Sequence, residues 1–398
     1  MEWAACRGGP PVLYLKESMH LTPIRVALLG LLSIVVFQWF LVQGHGGNWT
    51  MLFCAGDQVT PPPDVAPQMY RFANSWGFDG QYYYYIARDF TDARGTSAYI
   101  DNASMRWLRA LVPGLASALA FGNPEWVLAT YIGVMWGLAA LGLWISGKLA
   151  EHWGYPAAVG FAFLLIPAVL VSLERMMTDI SLVVLLLALL LALARQNTPV
   201  IYFTLMLVPL ARETGIAITA GWVLWSLWKR EWKPALYGAA TALPFLVWFV
   251  YQAQRHPGAI GFWSNGAPFS GILQRLMTPV IYPTDGLGFK LAAVTDYLGA
   301  WGIAAAFAIA ILLLVRGERS LLVFAAVVYT LGISLFTKED MWGEAYSYSR
   351  TGGPVAVMLA LLGVEQRRWW LVVPMLLALP RIVLQLGVVA WVAVKGLL

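Results

Sequence analysis

Residues 199–228 read PVIYFTLMLVPLARETGIAITAGWVLWSLW. A membrane-spanning helix takes about 20 apolar residues, so this stretch is either one span or two short helices that meet at Arg212-Glu213-Thr214-Gly215. The choice fixes the topology. One span would put the next link, Lys229-Arg230-Glu231-Trp232-Lys233, outside the membrane. A hairpin puts it inside, and with it Arg316, Arg319, Arg367 and Arg368, on the side already holding Lys148 and Arg195. Lys and Arg concentrate in cytoplasmic links, so the hairpin is favoured. The chain then reads as an all-α polytopic membrane protein of about 11 transmembrane helices, N-terminus inside and C-terminus outside.

The composition supports that class. The 398 residues are 60% hydrophobic and only 12% charged, against roughly 25% charged in soluble domains, and the mean hydropathy is +0.67. Twenty Trp and seventeen Tyr suit membrane–water interfaces. The net charge of +5 lies in short links and acts as a topology signal, so nucleic acid is not an expected partner. Residues 1–24 read as a cytoplasmic tail. The run Val26–Val42 behind Lys16 and Arg25 reads as an uncleaved signal anchor, because it is long for a signal core and no Ala-x-Ala site follows. Residues 25–398 form a single membrane domain with extracytoplasmic loops at about 44–124 and 252–290. Its further apolar runs are Trp126–Ser146, Ala157–Leu173, Ile180–Ala194, Ala235–Tyr251, Val294–Val315, Leu321–Phe336, Pro354–Val364 and a last one from Trp369. Trp107–Phe121, short and carrying Pro113, reads as a helix in or dipping into the interface. Arg381 sits mid-way along the last run, where an Arg is costly; it faces a cavity or marks a second hairpin. Cys6 and Cys54 flank the first span, which separates them and argues against a disulfide.

On this topology the polar features gather on one side. The first loop holds Gly77-Phe-Asp-Gly-Gln-Tyr-Tyr-Tyr-Tyr-Ile-Ala-Arg-Asp89. Asp79 heads a short amphipathic helix, with Asp79, Tyr83 and Ile86 on one face and Gln81, Tyr85 and Arg88 on another. Flanking glycines let a backbone approach a ligand. A carboxylate beside a low-dielectric surface has its pKa raised towards neutrality, which suits a general base. The plainer role is an N-cap. The tyrosines read as an interfacial belt before a sugar platform, and Arg88-Asp89 as a local ion pair, with Arg88 otherwise free for a phosphate. Asp101-Asn102 with Arg106 and Arg109, at i and i+3, is a second cluster: snorkelling anchors or a phosphate site. Arg212 and Glu213 at the hairpin tip are a solvated turn or a functional pair at membrane depth. Glu174, Arg175 and Asp179 read as a solvated turn. Lys338, Glu339, Asp340, Glu344 and Arg350 complete the external set, Arg350 heading a membrane helix within reach of a phosphate. Nucleotide loops, His-Glu-x-x-His and Cys/His clusters are absent from the sequence, so no cofactor is expected. A divalent metal shared by Asp79 and Glu213 is possible but not required by the spacing.

The Phe-Asp-Gly-Gln-Tyr-Tyr-Tyr-Tyr segment after a first apolar span resembles the GT-C superfamily of integral-membrane glycosyltransferases. The nearest pattern is that of bacterial cell-surface glycopolymer members with Tyr-Asp-Gly-Gln-(Phe/Tyr)-Tyr; the GPI mannosyltransferase 2 type is more distantly similar. Asp101-Asn102…Arg106-Trp-Leu-Arg109-Ala-Leu-Val-Pro113 resembles their Asn…Arg…Arg-x-Leu-x-Pro stretch. Ala211-Arg-Glu-Thr-Gly215 resembles Thr-(Lys/Arg)-Glu-Thr, with Ala211 in place of Thr, and Ser349-Arg350 resembles a late Arg before a membrane helix. The resemblance implies a polyprenyl-phosphate-linked sugar donor, inverting transfer to a glycan or lipid-linked acceptor, and Asp79 as the base. Gln81, Tyr82, Tyr83, Arg88, Asn102, Arg106, Arg109, Arg212, Glu213 and Arg350 become substrate-binding candidates. It implies a bacterial inner or plasma membrane, with the site facing the periplasm or exterior. Two other classes compete: a transporter or flippase of lipid-linked glycan, and a non-catalytic subunit of a cell-envelope assembly.

Overall fold

A computed structural model describes residues 21–257, 266–282, 286–338 and 341–397. The tail of residues 1–20, with Cys6, and the pair Glu339 and Asp340 lie outside the described residues. The described chain is helical apart from a two-residue parallel pair, β1 (Ala55–Gly56) with β2 (Arg71–Phe72).

In chain order the helices are α1 (Pro23–Gln43), α2 (Asp79–Arg88), α3 (Ala103–Leu108), α4 (Leu111–Leu119), α5 (Val127–His152), α6 (Pro167–Arg175), α7 (Asp179–Ala194), α8 (Thr198–Ala211) and α9 (Ile216–Trp228). They continue with α10 (Trp232–Ala240), α11 (Leu243–Arg255), α12 (Ser270–Met277), α13 (Leu287–Val315), α14 (Leu321–Ser334), α15 (Ala345–Thr351), α16 (Gly353–Glu365) and α17 (Val373–Leu397). Local chemistry explains several starts. Thr22 caps α1 with Pro23 in its first turn, Asn197 caps α8 ahead of Pro199, and Ser320 caps α14. Each supplies a side-chain oxygen to a backbone N–H that the helix cannot satisfy itself.

Among the described residues five helical stretches are long and apolar enough to cross a membrane: Pro23–Gln43, Pro124–His152, Trp232–Arg255, Leu287–Val315 and Trp369–Val392. The stretch read as one span from Ala157 to Leu173 is instead two pieces, Ala157–Leu165 and α6, bent by 66°. Pro167 opens the second piece, and a proline there cannot donate back into the preceding turn. Counting that pair as one span gives six. The outward faces agree: Leu28, Leu29 and Leu32 of α1, and Val247 and Val250 of α11, are exposed. Such apolar surface is stable in contact with lipid. The chain has the build of an integral membrane protein.

The stretch from Pro199 to Trp228 is a hairpin. Arg212 is extended, with φ −157° and ψ 137°, and breaks the helix. Thr219 donates to the Leu205 carbonyl at 3.2 Å, and the rings of Tyr202 and Trp222 lie 6.1 Å apart. Both pairs are symmetric about Arg212, as two antiparallel arms require. Gly215 makes the turn fit, since a Cβ there would lie 2.3 Å from the Val208 carbonyl oxygen. α17, in contrast, runs unbroken through Pro380 and Arg381, so the second hairpin considered at Arg381 does not occur. Between Trp107 and Phe121, α4 has nine residues, too short to cross, with Leu115 and Leu119 exposed and Val112 and Ala116 buried.

Candidate functional site

The first turn of α2 is pinned from two sides. The Phe78 N–H donates to the Cys54 carbonyl at 2.9 Å. The buried Gln81 amide donates to the Trp76 carbonyl at 2.9 Å and accepts from the Gly56 N–H at 3.3 Å. Gly77 has φ +72°, a conformation glycine adopts without strain. Gly80 lies directly on the end of α6, where a Cβ would meet the Arg175 carbonyl oxygen at 2.0 Å. The Asp-Gly-Gln segment is therefore a packing joint as well as a chemical one.

Asp79 is not the cap of α2. Phe78 occupies that position, with no side-chain cap bond, and the Asp79 carboxylate turns to arginines. Its Oδ2 lies 2.7 Å from Arg106 Nη1, 2.8 Å from Arg350 Nη2 and 3.8 Å from Arg109 Nη1. Oδ1 takes no hydrogen bond from the described residues. Each of these arginines also holds a second carboxylate. Arg106 grips Asp101 with two bonds, at 3.0 and 2.9 Å. Arg109 grips Glu213 with two at 2.9 Å and donates to the Tyr83 hydroxyl. Arg350 donates to Asp179 Oδ2 at 2.7 Å, and Arg212 donates to Asp179 Oδ1 and to the Arg350 carbonyl. Four arginines and four carboxylates thus form one network, gathered from α2, α3, the head of α7, the tip of the α8–α9 hairpin and α15.

The network meets solvent at Asp101, 47% exposed, and at Asp79, 22% exposed. The Asp79 side chain lines a cavity of about 610 Å³ with Thr60, Trp76, Tyr82, Tyr99, Asp101 and Arg106. The Tyr82 ring lies 5.1 Å from the Arg106 guanidinium. The sequence reading raises the Asp79 pKa towards neutrality; the structure reverses the direction. Burial does push the carboxyl up, but the charges of Arg106, Arg350 and Arg109 outweigh it and hold it far below the usual carboxylate range. Arg109 lies between Asp79 and Glu213, 3.8 Å from the first and 2.9 Å from the second.

Other candidates are placed elsewhere. Arg88 does not pair with Asp89; it lies between Asp64 at 3.5 Å and Glu125 at 3.4 Å. Asp89 instead closes its own turn through the N–H groups of Ala93 and Arg94 and the Thr96 hydroxyl. Asn102 caps α3 through the Met105 N–H, and Gln81 is the brace described above. The four tyrosines are not an interfacial belt: Tyr82, Tyr83, Tyr84 and Tyr85 are all buried, and α2 is buried on every face from Gly80 to Arg88. Glu174, Arg175 and Asp179 are buried too, which overturns the solvated-turn reading. Asp179 is an anchor of the network.

A second ionic cluster escapes a one-residue-at-a-time reading. Arg381 Nε lies 3.2 Å from Asp296 Oδ2, and Asp296 is 0% exposed. Asp296 also accepts from the Ala345 N–H at 2.8 Å and from the hydroxyl of Tyr282. The signal was present: an Asp inside one apolar run and an Arg inside another are natural partners. Because the pair packs against α15, the deep arginine belongs to the same end of the molecule as Asp79. No family model, curated protein or solved structure matches the chain.

Proposed function

We propose that the chain is an inverting, polyprenyl-phosphate-sugar-dependent glycosyltransferase of the GT-C type. The observation that carries this reading is the state of Asp79. It lines an open cavity beside Asp101 and Arg106, three guanidiniums converge on its Oδ2, and its Oδ1 is left to accept a hydrogen bond. An acceptor hydroxyl entering the cavity can donate to Oδ1. As its oxygen attacks the sugar C1, the C1–O bond to the donor phosphate breaks and polyprenyl phosphate leaves with the electron pair. Asp79 takes the hydroxyl proton. A carboxylate held ionised is a weak base at rest, but it is always in the accepting form, and the hydroxyl turns acidic as the new bond forms.

The arginines orient this base. Arg106, Arg109, Arg212 and Arg350 are each tied to a carboxylate at under 3 Å or in direct contact, so they position Asp79 and offset charge at the reacting centre. Tyr82, beside Arg106 on the cavity wall, offers a ring to a sugar. The bundle supports a reading of eleven membrane segments. Five long helices and the bent pair are joined by four shorter apolar helices of 13–16 residues and α9, eleven membrane-embedded segments of which the hairpin arms α8 and α9 stop short of crossing. The site then lies at the extracytoplasmic end, where a lipid-borne donor and an aqueous acceptor meet. The placement of Asp296–Arg381 at that same end counts against a charged path through the bundle and so against transport.

The test is Asp79→Asn in cells and on purified protein. The expected result is loss of the surface glycan and a fall in transfer rate of about 10²–10⁴ with protein level and melting unchanged. Normal transfer by well-folded Asp79→Asn protein would sink the assignment.

A further inference from the structure

Behind Phe78 lies a second cavity, of about 360 Å³. Phe78 lines this cavity and also the one that opens on Asp79, so the two adjoin at this residue. The remaining walls are largely apolar and come from both ends of the chain: Leu41 of α1 and Val388, Val389 and Val392 of α17. Val388 and Val392 are each 51% exposed on a helix apolar enough to cross a membrane. The cavity therefore reaches the surface that faces hydrocarbon.

Its polar end is Arg175. This side chain is 7% exposed and is held between the rings of Phe78 and Tyr346, 3.4 and 4.0 Å from their centres. Its Nε and Nη1 have no hydrogen-bond partner. The nearest carboxylate oxygen is Glu174 Oε1, at 3.5 Å, while Glu174 Oε2 accepts from the Tyr346 hydroxyl. The contrast with the neighbouring network is sharp, since Arg106, Arg109, Arg212 and Arg350 all have carboxylates in direct contact. Buried N–H groups of a guanidinium are costly to leave unpaired. Nε faces Glu174, so Nη1, on the other edge of the guanidinium, is the donor left for a phosphate oxygen. Stacked rings fix its orientation in advance.

We propose that this cavity receives a lipid-borne phosphate, with an oxygen on Arg175 Nη1 and its hydrocarbon chain leaving between α1 and α17 past Val388 and Val392. The docking stands on the geometry of Arg175. That the ligand is the sugar donor rests on the transferase reading above. On that reading the donor is anchored one residue from the base, and its sugar passes Phe78 to reach Asp79.

The experiment measures binding without turnover. Purified full-length protein in nanodiscs is titrated with a C55 polyprenyl monophosphate that carries no sugar. Arg175→Met and the cavity-filling Val388→Trp are compared with wild type and with Arg94→Met, an exposed arginine in the first loop. The expected result is a loss of at least about tenfold in affinity for Arg175→Met and Val388→Trp, none for Arg94→Met, and no competition from millimolar inorganic phosphate. If Arg175→Met melts early, Val388→Trp keeps the arginine and decides the matter alone. Wild-type affinity in a folded Arg175→Met or Val388→Trp protein overturns the proposal. Equal displacement by inorganic phosphate also overturns it, because the site would then serve a free anion. Loss of binding in Arg175→Met alongside normal glycan in Asp79→Asn would refute the transferase and leave the docking site standing.

Discussion

Two carboxylates at the same end of the bundle, one buried and one partly exposed, are held by arginine, and they are held differently. Asp296 meets Arg381 with no exposure, and among the described residues that arginine's other hydrogen-bond partners are neutral, Tyr282 and Gln385. Asp79 meets three arginines, and each of those has another carboxylate: Asp101, Glu213 or Asp179. Removing Asp296 strands a buried cation; removing Asp79 strands none. The first pair is a structural lock, and the second carboxylate can be spared by the fold and used for chemistry. Redundancy of partners, rather than burial or charge alone, separates the two.

The comparison can be broken by mutation. The largest effect is expected on activity, with Asp79→Asn costing about 10²–10⁴ in rate and less stability than Asp296→Asn, read by transfer assay and thermal melting. The reverse pattern is expected at Asp296→Asn, which should cost about 3–5 kcal/mol of stability because a buried partner is left charged; its residual activity should track the folded fraction. A destabilised Asp79→Asn beside a stable Asp296→Asn would invert the argument. Gly80→Ala should come next, at about 1–3 kcal/mol, because its Cβ would press on the Arg175 carbonyl; melting temperature reports it.

The smallest effect concerns pH. The Asp79 pKa is lowered in the folded state. Its stabilising contribution is therefore present above the ordinary carboxylate range and is lost only as pH falls through the depressed value. The stability gap between wild type and Asp79→Asn should stay constant from about pH 5 upwards and narrow in stronger acid. Transfer should likewise show no acid limb from Asp79 between about pH 5 and 8. A limb near neutrality that vanishes in Asp79→Asn would mean that the arginines stand further off than the structure places them.

Much of this was legible in residues taken one at a time. The hairpin at Arg212 followed from the distribution of basic links, because topology is written in local charge. The gathering of Asp79, Arg106, Arg109, Arg212, Glu213 and Arg350 followed from placing each polar turn on one side. What could not be read was pairing. Asp179 read as a solvated turn because sequence shows its neighbours Glu174 and Arg175 but not Arg212 and Arg350, which are distant in the chain. The Asp79 pKa was taken in the wrong direction for the same reason: burial is visible in an apolar context, while three converging guanidiniums are a tertiary fact. The tyrosines misled because an aromatic run looks the same at an interface and inside a packed loop. Arg88 and Asn102 show the limit of motif matching, since one braces the loop against Asp64 and Glu125 and the other starts a helix.

The arms of the Arg212 hairpin have 14 and 13 residues, or roughly 20 Å each at 1.5 Å per residue. A hydrocarbon slab is about 30 Å thick. In a bilayer the hairpin tip therefore stops about a third of the way short, and the space above it is filled by protein, ions and water instead of acyl chains. On the transferase reading, a head group would then react below the level of the leaflet surface, beside the hairpin tip.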